Sequence, residues 1–140
     1  MNTITRNCLL GLLSALTLSA CVPLAKTDAK YLKLTSNPKS KIIHSLEDFD
    51  KKAKNGILAR LDPVILKSFR DKLLFRNGGL ASAETSSISQ ALSRRHYYRV
   101  MGFFGMAGVY VEGDRQGFEC ESQGSCSPRS GWICTPNCAQ

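Results

Sequence analysis

Four cysteines crowd into the last 21 residues of this 140-residue chain, and no other feature constrains its fold as strongly. Their spacing is C-x5-C-x7-C-x3-C, and the residues between them are rich in Gly, Ser and Pro. Apart from Trp132 and Ile133, the segment has almost nothing bulky to bury. Because burial alone cannot offset the ordering entropy of such a segment, it needs cross-links to hold one conformation. The cysteines concerned are Cys120, Cys126, Cys134 and Cys138.

The N-terminus carries a targeting pattern. A short polar start containing Arg6 precedes an almost unbroken apolar run over residues 8–18. That run has the length of a signal-peptide core and is too short to cross a bilayer as a helix. Ordinary secretory cleavage before Cys21 would need small residues one and three positions upstream, and Leu18 does not meet that requirement. We therefore predict a signal peptide over residues 1–20 that is removed by a route other than ordinary secretory cleavage.

The sequence Leu18-Ser19-Ala20-Cys21 resembles the lipobox of bacterial lipoprotein precursors. The resemblance covers residues 1 to about 22, and it implies that Cys21 is lipidated and begins the mature chain. Several acyl chains hold such a protein firmly, since each buried methylene contributes about 0.8 kcal/mol. Val22 stands where lipoproteins retained at the inner membrane have Asp, so the resemblance implies an anchored protein of the bacterial outer membrane. An ordinary secreted protein, cut for instance after Ala25, is the alternative.

An envelope location also bears on the C-terminal cysteines. Thiols oxidise outside the cytoplasm, and an even number of them indicates two disulfides. A zinc site with four thiolates is the alternative, but the x5 and x3 gaps are not the paired x2 spacing typical of zinc sites. We predict two disulfides and no metal, and the three possible pairings stay open.

The remaining sequence predicts an α+β fold, with three or four short helices followed by a β-hairpin and a disulfide-linked C-terminal loop. We expect a lipidated N-terminus and flexible tether over residues 21–40, a small helical or α+β domain over 41–119, and a cysteine-rich tail over 120–140. Residues 21–40 are assigned to a tether because their apolar residues are sparse and four lysines and two prolines interrupt them.

Capping residues mark the predicted helices. Ser45 precedes an acidic first turn, and Asp62 precedes a proline at the first helical position. Ser93 precedes a run of apolar residues at helical spacing, and a weaker helix opens at Ser82 or Thr85.

The hairpin is predicted from composition further along the chain. Residues 108–111 have strand composition, residues 112–115 resemble a turn, and residues 117–120 supply the returning strand.

The charge of the chain is uneven. Without Arg6, which leaves with the signal peptide, 18 basic and 11 acidic side chains remain, and residues 26–99 hold 16 of the basic ones against 7 acids. A basic front half suits an anionic surface such as lipid head groups, lipopolysaccharide phosphates or acidic glycans. The simpler interpretation is a solvated surface, because the basic residues alternate with acidic ones. The expected compartment argues against nucleic acid as a partner.

Two features are candidates for contact with a partner. One is a stretch in which cations alternate with aromatic residues, and the other is the single tryptophan of the tail. The stretch of cations and aromatic residues could instead be a helix whose arginines are solvated. The tryptophan could instead fill a small core. We predict that an envelope protein or an anionic glycolipid contacts Arg94, Arg95, Arg99 and Trp132.

Catalytic patterns are absent from the sequence. His44 and His96 lie far apart without metal-binding spacing, and no G-x-S-x-G, H-E-x-x-H, phosphate-binding glycine loop or C-x-x-C occurs. We therefore predict no catalytic residues, no enzyme activity and no cofactor. The predicted function is that of a membrane-anchored envelope lipoprotein with a non-catalytic binding or accessory domain. The alternatives are a secreted cysteine-rich peptide released from about Gly117 onward, and an envelope hydrolase.

Overall fold

A computed structural model describes residues 23–113 and 115–139, so the predicted signal peptide and Cys21 lie outside the described residues. The described residues form seven α-helices, one 3₁₀ helix and a four-stranded antiparallel sheet, which confirms the predicted α+β class. None of these helices is long and apolar enough to cross a membrane. The helices are α1 Asp28–Ser36, α2 Leu46–Ala53, α3 Gly56–Ala59, α4 Pro63–Asp71, α5 Ser86–Ala91, α6 Arg94–Phe103 and α7 Gly108–Val111. The strands are β1 Leu74–Arg76, β2 Gly79–Glu84, β3 Gln116–Cys120 and β4 Cys126–Cys134, and the 3₁₀ helix is Pro136–Ala139.

The four predicted helices correspond to α2, α4, α5 and α6. Ser45, Asp62 and Ser93 cap three of them, since each side chain accepts a backbone N–H two or three residues further along at 2.8 to 3.2 Å. Thr85 precedes α5 but its side chain makes no capping hydrogen bond. The carboxylate of the preceding Glu84 accepts the N–H groups at the start of α5 instead. Local capping chemistry therefore accounts for where these helices begin.

The flexible tether predicted over residues 21–40 is wrong where α1 is described. Thr27 caps α1, and Tyr31 is fully buried with its hydroxyl donating to the Leu80 carbonyl at 2.7 Å. The lysines of this helix, Lys30 and Lys33, remain exposed. The segment looked like a linker because its core-facing residues are few, but one buried aromatic side chain is enough to dock a short helix.

The predicted strand over residues 108–111 is also wrong, because these residues form α7. Tyr110 and Val111 are buried there, so their bulk fits a helix packed against the core as well as it fits a strand. The returning strand, β3, is present and pairs with β4, which is the cysteine-rich segment itself. The hairpin therefore lies further along the chain than predicted.

A second hairpin joins β1 and β2, and sequence analysis missed it. Asn77 has φ 53° and Gly78 has φ 84°. Two successive residues with positive φ form the two-residue turn that matches strand twist, and Asn-Gly is the preferred pair for it. Asn-Gly is typical both of the end of a helix and of a hairpin turn. The dipeptide alone therefore did not distinguish the two structures.

The sheet has the order β1-β2-β4-β3, and β2 is buried along its whole length. The helices cover it with an aromatic cluster centred on Phe104, which is fully buried. Its ring centroid lies 6.2 to 6.3 Å from those of Phe49, Phe69 and Phe75. The core therefore joins three helices to one edge of the sheet.

The two predicted disulfides are present, and they pair Cys120 with Cys138 and Cys126 with Cys134. No cysteine in residues 23–113 and 115–139 is free, so the zinc alternative has no thiolate there. The second bridge joins the two ends of β4, whose Cα atoms are 5.9 Å apart. A straight strand of that length would span about 27 Å. The strand therefore bends back on itself, at a register shift that contains Gly131 with φ 82°.

Candidate functional site

An open cavity of about 820 Å³ lies between α2, α6 and the loop that joins α1 to α2. We call it the α2–α6 cavity. Apolar side chains form one part of its lining, and cations and polar groups form the other. The apolar part consists of Pro38, Ile42, Ile43, Ile57 and Phe103, and the charged part of Lys41, Asp48, Lys51, Lys52 and Arg99.

Backbone hydrogen bonds hold the loop that forms one wall of the α2–α6 cavity. The Ile43 N–H donates to the Phe103 carbonyl at 2.8 Å, which ties the loop to the end of α6. The His44 N–H donates to Asp48 Oδ2 at 3.0 Å, which ties it to α2. Arg99 lies four residues before Phe103 on α6, so both share one face of that helix. The lining is thus fixed by secondary structure on two sides.

Positive charge in the α2–α6 cavity exceeds negative charge. Asp48 is engaged by a backbone N–H, and Lys51 Nζ lies 2.8 Å from a carboxylate oxygen of Glu47. Lys52 Nζ lies 4.5 Å from the ring centroid of Phe103, a cation–π contact. Within the described part of the chain, no carboxylate forms an ion pair with the three other cations of the lining. These are Lys41, Lys52 and Arg99.

A histidine and a serine lie together at the same cavity. His44 Nδ1 is 2.6 Å from the Gly78 carbonyl oxygen, and Nε2 is 2.9 Å from the Ser40 carbonyl oxygen and 3.1 Å from Ser40 Oγ. The Ser40 hydroxyl also lies within 2.6 Å of the Leu34 carbonyl and 2.8 Å of the Asn37 carbonyl. The imidazole therefore links the loop to the β1–β2 turn, while the hydroxyl closes the C-terminal end of α1.

The predicted contact residues on α6 do not act together. Arg99 lines the α2–α6 cavity, and Arg95 is exposed one turn before it on the same helix. Arg94 contacts α7 instead, since its guanidinium donates to Glu112 at 2.5 Å and to the Tyr98 hydroxyl at 2.9 Å. Of the three arginines, the structure thus brings only Arg99 to the cavity.

Trp132 lies on the sheet, outside the α2–α6 cavity. It is half-buried on β4 opposite Glu84, and the Arg129 guanidinium stacks over its ring at 4.5 Å. The Arg129 side chain also pairs with Glu119 at 2.5 Å. This arrangement covers the ring with the protein's own cation.

Sequence analysis missed most of the cavity. Arg99 and Phe103 are four residues apart on a helix that was predicted, so the helical pattern could have identified this pair. The same spacing separates Ser40 from His44, although they lie on a loop. Lys52 reaches the site only because α2 packs beside α6, and no local pattern encodes that contact.

Comparison with known proteins adds no assignment to this geometry. The models of known protein families, the curated proteins and the solved structures yield no match to the chain. Its function therefore has to be inferred from the residues and geometry of the α2–α6 cavity and from the sequence at its N-terminus.

Proposed function

We propose that this chain is a bacterial envelope lipoprotein, anchored through Cys21, whose domain binds an anionic envelope component in the α2–α6 cavity. The observation that carries the proposal is the set of cations beside an apolar wall. Lys41, Lys52 and Arg99 have no carboxylate partner among the residues described. Anionic ligands fit such a lining, because charge-assisted hydrogen bonds are strong and the apolar wall limits competition from water.

The lipobox-like segment ending at Cys21 supports the anchor, and Val22 after it supports the outer membrane. Engagement of Ser40 and His44 with backbone carbonyls supports a binding role over a catalytic one. A hydroxyl that already faces two carbonyls has lost part of its freedom to attack a substrate.

The anchor is tested by the intact mass of the full chain, expressed in a Gram-negative host and extracted in detergent. We expect a chain that starts at Cys21 with added acyl mass. A C21S variant should lack that mass and leave the membrane fraction. An unacylated wild-type chain cut elsewhere would contradict the anchor.

The binding role is tested by photo-crosslinking in the same cells. A photoreactive amino acid at Phe103 should capture an anionic envelope component. The matched control carries the same group at Val64, which is 77% exposed on α4 and does not line the cavity. Equal capture at both positions would show that the cavity has no binding role.

A hydrolase is the second candidate, and the Ser40–His44 pair favours it. A serine hydroxyl 3.1 Å from an imidazole nitrogen is the pair that nucleophilic catalysis uses, and the Gly78 carbonyl orients the other ring nitrogen. Under this candidate, the purified protein should hydrolyse an activated ester, and S40A should abolish that activity while the protein stays folded. The binding proposal predicts no difference between the wild type and S40A in that assay.

A further inference from the structure

The described chain begins beside the C-terminal end of α6. The Ala25 N–H donates to the Gly105 carbonyl at 2.7 Å, and the Ala107 N–H donates to the Ala25 carbonyl at 3.0 Å. The Leu24 side chain lies over Gly102, with Cδ1 3.4 Å from the position that a Cβ at residue 102 would take. These contacts fix the start of the domain against the C-terminal end of α6.

Very little chain separates this fixed point from the proposed anchor. From Cys21 to Ala25 there are four Cα–Cα steps, which span about 14 Å at full extension. A domain of this size has a radius of gyration of about 13 Å. If Cys21 is held in the bilayer, the domain therefore cannot stand clear of it, and the C-terminal end of α6 faces the lipid surface.

The same end of α6 carries part of the cavity lining. Arg99 precedes Gly102 by three positions and Phe103 by four, so all three lie on one face of the helix. Leu24, which packs on that face, is 37% exposed. Arg99 and the start of the domain thus lie within about one helical turn of each other.

We propose, on the basis of the lipid anchor proposed above, that the domain lies on the bilayer and that the α2–α6 cavity binds the phosphate head group of an anionic phospholipid in the same leaflet. The planar guanidinium of Arg99 matches phosphate oxygens, and the ammonium of Lys52 adds a point charge. Phe103 and the isoleucines of the lining receive the apolar part of the lipid next to the phosphate. A short tether raises the effective concentration of membrane lipid at the cavity.

Native mass spectrometry of the acylated full chain tests the proposal. The protein is placed in nanodiscs of phosphatidylcholine with or without phosphatidylglycerol and then released in the spectrometer. One spectrum reports both the covalent acyl mass and the phospholipid that stays bound. We expect retained phosphatidylglycerol but no retained phosphatidylcholine.

Charge variants assign that retention to the cavity. R99Q and K52Q should each lower the retained phosphatidylglycerol about fivefold, the effect expected for one cation near an anionic surface. K33Q is the matched control, because Lys33 is an exposed cation on α1 that does not line the cavity. Its retention should equal that of the wild type.

The outcomes separate this inference from the proposed anchor. An acylated protein that retains no phosphatidylglycerol, or retains it equally in R99Q, K52Q and K33Q, would overturn the inference and leave the anchor intact. A protein without acyl mass would overturn the anchor and the inference with it.

Two further arms test the source of the phosphate and the role of the short tether. Soluble glycerol phosphate is added as a competitor, and displacement of the lipid at equal concentration would assign the site to a free phosphate instead. A flexible insert of about ten residues before Pro23 should lower lipid retention. A longer tether lowers the effective concentration of membrane lipid at the cavity. Unchanged retention with the insert would contradict docking on the bilayer.

Discussion

The helical part of the domain and its C-terminal end are stabilised by different means. Residues 28–111 bury a cluster of aromatic rings around Phe104, whereas β3 has no fully buried residue and β4 buries only Ile133 and Cys134. The second region compensates with two disulfides within 19 residues. The comparison shows that one small chain can use burial where apolar residues are dense and covalent links where they are sparse.

The two regions meet at β2. The carbonyl oxygen of Leu80 accepts the Tyr31 hydroxyl at 2.7 Å and the Thr135 hydroxyl at 2.6 Å. One backbone group therefore links α1 to the segment between β4 and the 3₁₀ helix. The Thr35 hydroxyl makes a second link to Asn137 at 3.2 Å.

The largest effect is expected from emptying the helical core. F104A should lower the free energy of unfolding by about 3 to 5 kcal/mol, because the cavity removes contacts with three other rings. The free energy of unfolding is measured by urea unfolding. V64A, at a position 77% exposed, should stay within about 0.5 kcal/mol of the wild type. A loss below about 1 kcal/mol for F104A would mean that burial does not dominate this region.

Removing the disulfides should cost less and should act on the other region. The bridges close segments of 18 and 8 residues in sequence separation, so C120S/C138S should cost about 3 kcal/mol and C126S/C134S about 2.5 kcal/mol. Amide hydrogen exchange should still protect α2 and α4 in both variants. Loss of protection in these helices would show that the two regions are not stabilised separately.

Because Tyr31 and Thr135 donate to the same Leu80 carbonyl, we expect an energetic coupling of intermediate size between them. Y31F should cost about 1 kcal/mol, since it removes the Tyr31 donor from the Leu80 carbonyl while the Thr135 hydroxyl still donates to that carbonyl. The double variant Y31F/T135V leaves that buried carbonyl without either side-chain donor, so its cost should exceed the sum of the single costs. Additive costs in urea unfolding would contradict the link.

Tyr31 also predicts a dependence on alkaline pH. Burial raises the pKa of Tyr31, with opposing contributions from its hydrogen bonds to Thr135 and Leu80. Its stabilisation is therefore complete below the unfolded value of about 10 and declines as the pH rises above it. Between pH 10 and 12, roughly, wild type should lose stability faster than Y31F, and parallel curves would contradict this assignment.

The smallest effect is expected at the surface. Arg70 donates two hydrogen bonds to Asp50 at 2.6 and 2.7 Å and holds the pKa of that carboxyl below its usual range. Because the folded pKa is lowered, the stabilisation is present above the unfolded value of about 3.9 and is lost as the pH falls through the folded value. D50N should therefore lower the melting temperature slightly at neutral pH, and the difference should vanish in strong acid. A difference that persists at pH 2, or is insensitive to salt at pH 7, would contradict an exposed ion pair.

Features with a local physical cause were predictable from the sequence. Side chains of Ser45, Asp62 and Ser93 cap helices within three residues of themselves, and the density of cysteines required cross-links. The helix α1 was not predictable, because its stability depends on where Tyr31 docks, 49 residues away in sequence. For α7, three of the four residues have high strand propensity, yet they adopt a helix because packing outweighs propensity.

The candidate site was predictable only in part. Arg99 was identified from the alternation of cations and aromatic residues, but Arg94 belongs to the same pattern and pairs with Glu112 elsewhere. The sequence cannot separate the two, since what distinguishes them is the element that each faces. Lys52 was not identified because the site depends on the packing of α2 beside α6.

The place of β4 in the sheet has a consequence for biosynthesis. Ser82, at the middle of the chain, pairs with Cys134, which is close to the last residue described. Chains emerge from the ribosome N-terminus first, so β2 waits for its partner until the residues of β4 have been made. Until then, the core-facing side of β2 has only helices against it and its backbone edge is open to other chains. The domain thus depends on β4 not only to stay folded but also to avoid aggregation while it folds.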